Sequence, residues 1–181
     1  MSASRVFRDD LLEEKVVLVT GGGTGIGVAI AREMAKLGAQ VVIASRKAEN
    51  IEPAAKGLSE ELGCEVVGEL CDIRDRDAVK ACVDRVLERF GRIDVLINNA
   101  ARDPRIALED VTAKVWDDLI AGNIRAYFLA CREASPHLAK GASIVNFSSI
   151  TFYTAPVNMS AYVATKAAAI GLTRSLAREL G

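Results

Sequence analysis

Residues 15–38 read KVVLVTGGGTGIGVAIAREMAKLG, and this stretch decides the fold. Its first part, Lys15 to Thr20, reads as a strand and is nearly continuously apolar, as a strand buried on both faces must be. Its last part repeats apolar residues at helical spacing and stops at Gly38, a glycine placed to end a helix. Between them lies TGxxxGxG, starting at Thr20. A strand that enters a glycine loop and leaves as a helix is the setting of a phosphate-binding turn. Gly21 allows the sharp turn off the strand, Gly25 lets backbone approach a diphosphate, and Gly27 lets the helix pack closely on the sheet. Thr24 and Ile26 complete the loop, and the helix N-terminus supplies N–H groups and a positive dipole. The spacing GxxxxGK of a P-loop fails, because Gly22 to Gly27 is followed by Val28. A merely flexible glycine turn is the competing reading, weakened by the strand and helix on either side.

Working outward, valine- and isoleucine-rich runs at 40–45, 65–71, 93–98 and 143–148 read as four further strands. Helical patterns fill the gaps: 25–37, a second starting near Pro53, 75–90 ending at Gly91, a long one over 112–138, and a last from 160 to the end. Strands alternating with helices predict an α/β fold, a doubly wound parallel sheet in a three-layer α/β/α arrangement. At 181 residues the chain is a single domain, 1–181. With 23 basic and 24 acidic side chains and no basic run, it carries no footprint for nucleic acid. No apolar stretch is long enough to cross a bilayer, and the acidic N-terminus does not resemble a signal peptide, so the chain reads as cytoplasmic. Four cysteines without a CxxC pair and a single histidine, His137, fit neither a zinc cage nor a disulfide framework, so no metal is expected. The absence of a GxSxG elbow sets a serine hydrolase aside.

A dinucleotide site reads the adenosine ribose at the end of the second strand, where an acid selects a free 2'-hydroxyl and an arginine a 2'-phosphate. Here Ser45 stands in the acid's place and Arg46 follows, with Lys47 beside it. The expectation is NADP(H), with NAD(H) possible; a solvated Arg46 balanced by nearby Glu49 is the bland alternative. In the last helix Tyr162 and Lys166 are four residues apart and project from one face. An ammonium there favours the phenolate and equips the tyrosine to exchange a proton with a carbonyl or alcohol oxygen. Ser149 lies thirteen residues upstream, at the carboxyl edge of the fifth strand. Tyr153 and Tyr127 have Val157 and Cys131 four residues on, and are set aside for want of an ammonium. Ser148, on the opposite strand face from Ser149, is expected to point away.

Taken together, TGGGTGIG, CDIRD, NNAA, Asn123, Ser149 and YVATK, in this order and spacing, resemble the short-chain dehydrogenase/reductase family over nearly the whole chain. The resemblance implies a Rossmann-like sheet of order 3-2-1-4-5. It implies that Tyr162 is the general acid/base, that Lys166 lowers its pKa and binds the nicotinamide ribose, and that Ser149 hydrogen-bonds the substrate oxygen. Asn123 would complete a proton relay through water. Trp116, Ile120, Asn123 and Tyr127 share one helical face, so a buried structural amide is the alternative for Asn123. The resemblance further implies that Asp72 and Ile73 contact adenine and that Asn99 and Ala100 border its ribose. Otherwise Asp72 caps the next helix, and Asn98 and Asn99 simply end strand four. The small-residue helix AYVATKAAAIG permits close helix-on-helix contact, and the resemblance implies that it lies at a subunit interface, hence a homo-oligomer, dimer or tetramer.

Three departures from the pattern stand out. Ala101 replaces a usual glycine and is expected to strain a loop that wants positive φ. Phe152 and Tyr153 follow Ser149 where a glycine is frequent, and are expected to wall the substrate pocket. The chain stops at Gly181 where the family continues through further strands, so it reads as C-terminally truncated, with strand five a bare edge. The leading expectation is an NADP-dependent oxidoreductase acting on a carbonyl or secondary alcohol, ketoacyl-type first, sugar or small-alcohol dehydrogenase second. A non-catalytic dinucleotide-binding module is the reading from another class.

Overall fold

The computed structural model describes residues 6–181. In chain order its elements are β1 (Val16–Thr20), α1 (Gly25–Lys36), β2 (Gln40–Ser45), α2 (Ala48–Leu62), β3 (Val66–Leu70), α3 (Arg76–Phe90), β4 (Ile93–Asn98), α4 (Ala113–Ile120), α5 (Ala126–Ala134), β5 (Leu138–Asn146), α6 (Thr151–Thr154) and α7 (Ser160–Glu179). All strand pairs are parallel, in the order β3-β2-β1-β4-β5. Alternate residues of the central strands feed two cores. Val17, Val19 and Ile43 meet α1 and α2, whereas Val16, Leu18 and Val42 meet α3 and α5. Helices cover both sheet faces, which is why the central strands are apolar without interruption. The register pairs Thr20 with Ala44 and Asn98, and Asn98 with Asn146. Strand ends therefore line up along one carboxyl edge, where ligands of open parallel sheets bind.

Several element boundaries differ from expectation. Helix α2 starts at Ala48, with Pro53 inside it. Buried Ile51, Ala55, Leu58 and Leu62 keep the helical period through the proline, and their burial outweighs the one backbone bond it removes. Strand β5 spans Leu138–Asn146 rather than 143–148, with an irregular register beside Ile93 and Val95. As expected it lies at the sheet edge, and none of its residues is fully buried. The long helix stops at Ala134, before Pro136, and is interrupted by a π turn over Ala121–Arg125. The wider turn rotates the segment before it, so Trp116 is 41% exposed and Leu119 takes the buried place. Asp75, not Asp72, caps α3, accepting from the N–H groups of Asp77 and Ala78. Ala101 keeps a negative φ, so the loop takes its Cβ without the expected strain. Among the described residues no helix is long and apolar enough to cross a membrane.

Asp94 ties the start of the two central strands together. Only 4% exposed, it accepts from the Val16 N–H at 3.0 Å, from Arg92 at 2.6 Å and from Lys15 at 3.4 Å. Burial opposes its charge, but Arg92, the Val16 N–H and Lys15 outweigh it and hold the carboxyl below its ordinary value. A depressed carboxyl contributes stability above its unfolded value of about 3.9 that is lost as pH falls through the folded value. Asp94→Ala leaves the Val16 N–H without its acceptor, and urea denaturation at pH 7 should show a loss of about 2 kcal/mol. The difference from the unsubstituted chain should shrink below pH 4; a constant difference contradicts the assignment.

Candidate active site

The loop between β1 and α1 and the segment after β4 are joined at the carboxyl edge. The Asn99 Nδ2 donates to the carbonyls of Thr20 at 3.1 Å and Gly21 at 3.3 Å, and the Thr20 hydroxyl donates to the Ile97 carbonyl. Gly21 has φ +69°, and a Cβ there would meet the Ala100 backbone at 2.8 Å. A Cβ on Gly27 would overlap the Gly21 carbonyl and meet the Asn99 amide at 2.8 Å. The close approach that Gly27 permits is thus to the glycine turn itself, not to the sheet as its spacing suggested. Gly27→Ala is expected to destabilise the chain by about 3 kcal/mol, seen as a lowered Tm, and to weaken nucleotide binding. An unchanged Tm overturns the packing argument. Gly25 faces open space instead, beside an α1 N-terminus that has no side-chain cap.

A cleft of about 690 Å³ opens above this turn. Its walls include Gly21, Thr24, Gly25 and Ile26 on one side and Ser149, Tyr162 and Lys166 on the other. A smaller adjoining lobe is lined by Asp72, Ile73 and Arg74. Ser45, Arg46 and Ala100 border both lobes, and Asn99 the larger. Of the residues expected to do chemistry or hold the cofactor, only Gly27 and Asn123 stand outside the cleft walls, and Phe152 and Tyr153, expected to wall the substrate pocket, do not line it either. Lys47, rather than Arg46, pairs with Glu49, at 3.3 Å. No salt bridge engages Arg46 among the described residues, and it lines both lobes. In the smaller lobe the Asp72 carboxylate grips Arg74 through Nε at 2.9 Å and the Arg74 N–H at 3.0 Å, which holds its carboxyl below the ordinary value.

Ser149 lies beyond the end of β5, where strand alternation no longer applies. Its Oγ accepts from the Thr151 hydroxyl at 2.8 Å and from the Thr151 N–H at 3.2 Å. Both acceptances leave its own O–H free to donate into the cleft. Ser148 also lines the cleft, contrary to the alternation argument, but its hydroxyl donates to the Lys166 carbonyl at 2.9 Å. Lys166 is 2% exposed. Its ammonium donates to the Phe147 carbonyl at 2.8 Å and to the Tyr127 hydroxyl at 3.1 Å, and stands 5.7 Å from the Tyr162 ring centre. Burial pushes the Lys166 ammonium down to about 8, against a smaller upward pull from Asp103.

Asn123 sits in the π turn, fully buried. Its Oδ1 accepts from the Arg102 N–H at 2.9 Å, and its Nδ2 donates to the Arg102 carbonyl at 2.8 Å and to Thr165 at 3.2 Å. The side chain is therefore committed to fastening the loop after β4 onto α7. Phe152 and Tyr153 meet edge to face, ring centres 4.9 Å apart, on the exposed α6 beyond Ser149.

A model of the family "short chain dehydrogenase" matches residues 15–181. The chain belongs to the short chain dehydrogenase family. It is 41% identical over 172 residues to "Probable galactose dehydrogenase GalD" of Rhizobium meliloti, covering 94% of this chain and 67% of that protein. It is 41% identical to "Tropinone reductase-like 3" of Erythroxylum coca, covering 93% and 65%. A short chain dehydrogenase from Burkholderia cenocepacia, solved in complex with NADP, superposes with a TM-score of 0.89 at 42% identity, covering 94% of this chain and 70% of that one. The chain thus spans about two thirds of the length of the curated relatives it matches. The doubly wound sheet and its strand order are those of a Rossmann-like dehydrogenase fold. The sequence carries no direct indication of Thr151, Thr165 and Asp103. Of these only Thr151, two residues from Ser149 as in a serine-threonine turn, carried a local signal.

Proposed function

We propose that the chain is an NADP-dependent oxidoreductase that interconverts a carbonyl and a secondary alcohol. One observation carries the reading: Ser149, Tyr162 and Lys166 line the same cleft as the glycine turn and Arg46, although the sequence scatters them from Gly21 to Lys166. The residues fit the dinucleotide. Gly25 leaves open space for a diphosphate beside the α1 N-terminus, the Ser45 hydroxyl and Arg46 suit a 2'-phosphate, and Ile73 offers an apolar wall to adenine. Asp72 adds a wall beside Ile73, and Asn99 and Ala100, which line the larger lobe, would border the ribose. Lys166 is placed to hold the second ribose.

The bound nicotinamide supplies the hydride donor or acceptor. In reduction, the free Ser149 O–H holds the substrate oxygen and Tyr162 gives it the phenolic proton, yielding the alcohol. The Lys166 ammonium stabilises the phenolate oxygen left behind. Oxidation runs the same proton back to Tyr162. The names of the two relatives carry no ketoacyl substrate. Titrating NADPH by fluorescence, then offering ketones and secondary alcohols, tests the reading. Turnover with at least one ketone is expected; saturable NADPH binding with none across the panel refutes the enzyme and leaves a binding module.

A further inference from the structure

Tyr127 was set aside in the sequence because no cation follows it at helical spacing. The fold supplies one from 39 residues away. The Tyr127 ring is 0% exposed, and its hydroxyl accepts from the Lys166 ammonium at 3.1 Å while donating to the Phe147 carbonyl at 3.4 Å. That carbonyl also accepts from Lys166, at 2.8 Å, so ammonium, phenol and carbonyl close a buried triangle behind the cleft. An ammonium has three N–H groups. Two are fastened here, which leaves the third for the cleft that Lys166 lines together with Tyr162. Tyr127 stands four residues after Asn123, directly past the π turn, so the same backbone irregularity that fastens the loop delivers this phenol.

Resting on the oxidoreductase reading, we infer that Tyr127 is a positioning residue: its hydroxyl holds the Lys166 ammonium charged and aimed at the cofactor ribose and at Tyr162. Lys166 is faced by Tyr162 from its own helix, by Tyr127 from α5 and by Asp103 from the loop after β4. Burial disfavours charge on both the lysine and Tyr127, and it raises Tyr127 well above the ordinary phenol value. Tyr127 therefore stays a neutral phenol and serves as an acceptor for the ammonium, not as a second acid. The charged lysine is present below about 8 and lost above it. Removing an acceptor weakens the charged form, so the loss moves to lower pH.

The test compares the unsubstituted chain with Tyr127→Phe, which deletes one oxygen and keeps the ring. The Lys166 Nζ signal is followed by NMR as pH is raised, with Lys166→Arg used to assign it. Its midpoint should fall by about one pH unit in Tyr127→Phe. In ketone reduction kcat should fall about tenfold, with KM for NADPH nearly unchanged and the alkaline limb of the rate profile moved down in pH. An unmoved midpoint, or a rate lowered equally at every pH, overturns the assignment. If the midpoint moves while the unsubstituted chain turns nothing over, the lysine contact stands and the oxidoreductase reading falls. A measurement without any variant is also available: the Tyr127 ring carbon bearing the hydroxyl should shift with the Lys166 midpoint, and a signal indifferent to that titration overturns the contact.

Discussion

Tyr162→Phe should reduce turnover about a thousandfold while NADPH binding stays within about threefold. The argument is geometric. The phenylalanine keeps the ring that lines the cleft wall and loses only the oxygen that exchanges a proton with substrate. In the proposed reading the cofactor is held elsewhere, by the glycine turn, Ser45, Arg46 and Lys166, and none of these depends on the phenol for its own position. Lys166 is fastened by Phe147 and Tyr127, so it stays in place when the Tyr162 oxygen is gone. Residual activity well above the background rate would show that some other group supplies the proton. Single-turnover rates under saturating NADPH separate this chemical defect from any change in binding.

Arg46→Asp should reverse the cofactor preference, moving the ratio of kcat/KM for NADPH over NADH by about a hundredfold or more. Arg46 lines the cleft and makes no ion pair among the described residues, while Glu49 is engaged by Lys47. A 2'-phosphate there gains charge-assisted hydrogen bonds, each worth about 1.5–3 kcal/mol, and aspartate replaces them with repulsion. The same carboxylate accepts from a free 2'-hydroxyl, so NADH should gain as NADPH loses. Measuring both cofactors with one substrate checks the claim. An unaltered ratio would falsify the 2'-phosphate assignment, and Arg46 would then be a solvated loop charge.

The parts of this chain legible in its sequence are those fixed by near neighbours. The apolar run, the glycine loop and the helix of residues 15–38 specify β1, the turn and α1 with almost correct boundaries, because each signal acts within a few residues. The α2 boundary failed because Pro53 looked like a helix start, and only the burial of Ile51 against the sheet shows otherwise. The π turn was invisible, since it is a matter of backbone pairing that side-chain periodicity does not report. Strand β5 misled because its first residues, Leu138 to Ala142, are not uniformly apolar, as befits an edge. Within the cleft, Tyr162 and Lys166 showed themselves by helical spacing. Tyr127 did not, because its cation arrives through tertiary folding. Asn123 was found, but its commitments to Arg102 and Thr165 were not, since both partners are distant in sequence.

The grip of Asn123 on both backbone atoms of Arg102 has a thermodynamic sequel. One amide imitates a rung of sheet, and the loop it clamps bears Ala100 and Ala101 on the nucleotide side and Asp103 toward Lys166. Fixing a backbone residue opposes order by about 1–2 kcal/mol, and for this wall that penalty is met during folding, before any visitor arrives. The groove therefore resembles a cast mould more than a closing hand. Calorimetry of nucleotide association should accordingly reveal a small heat-capacity change and stopped-flow a single, fast phase, without the slow second step of a loop settling afterward.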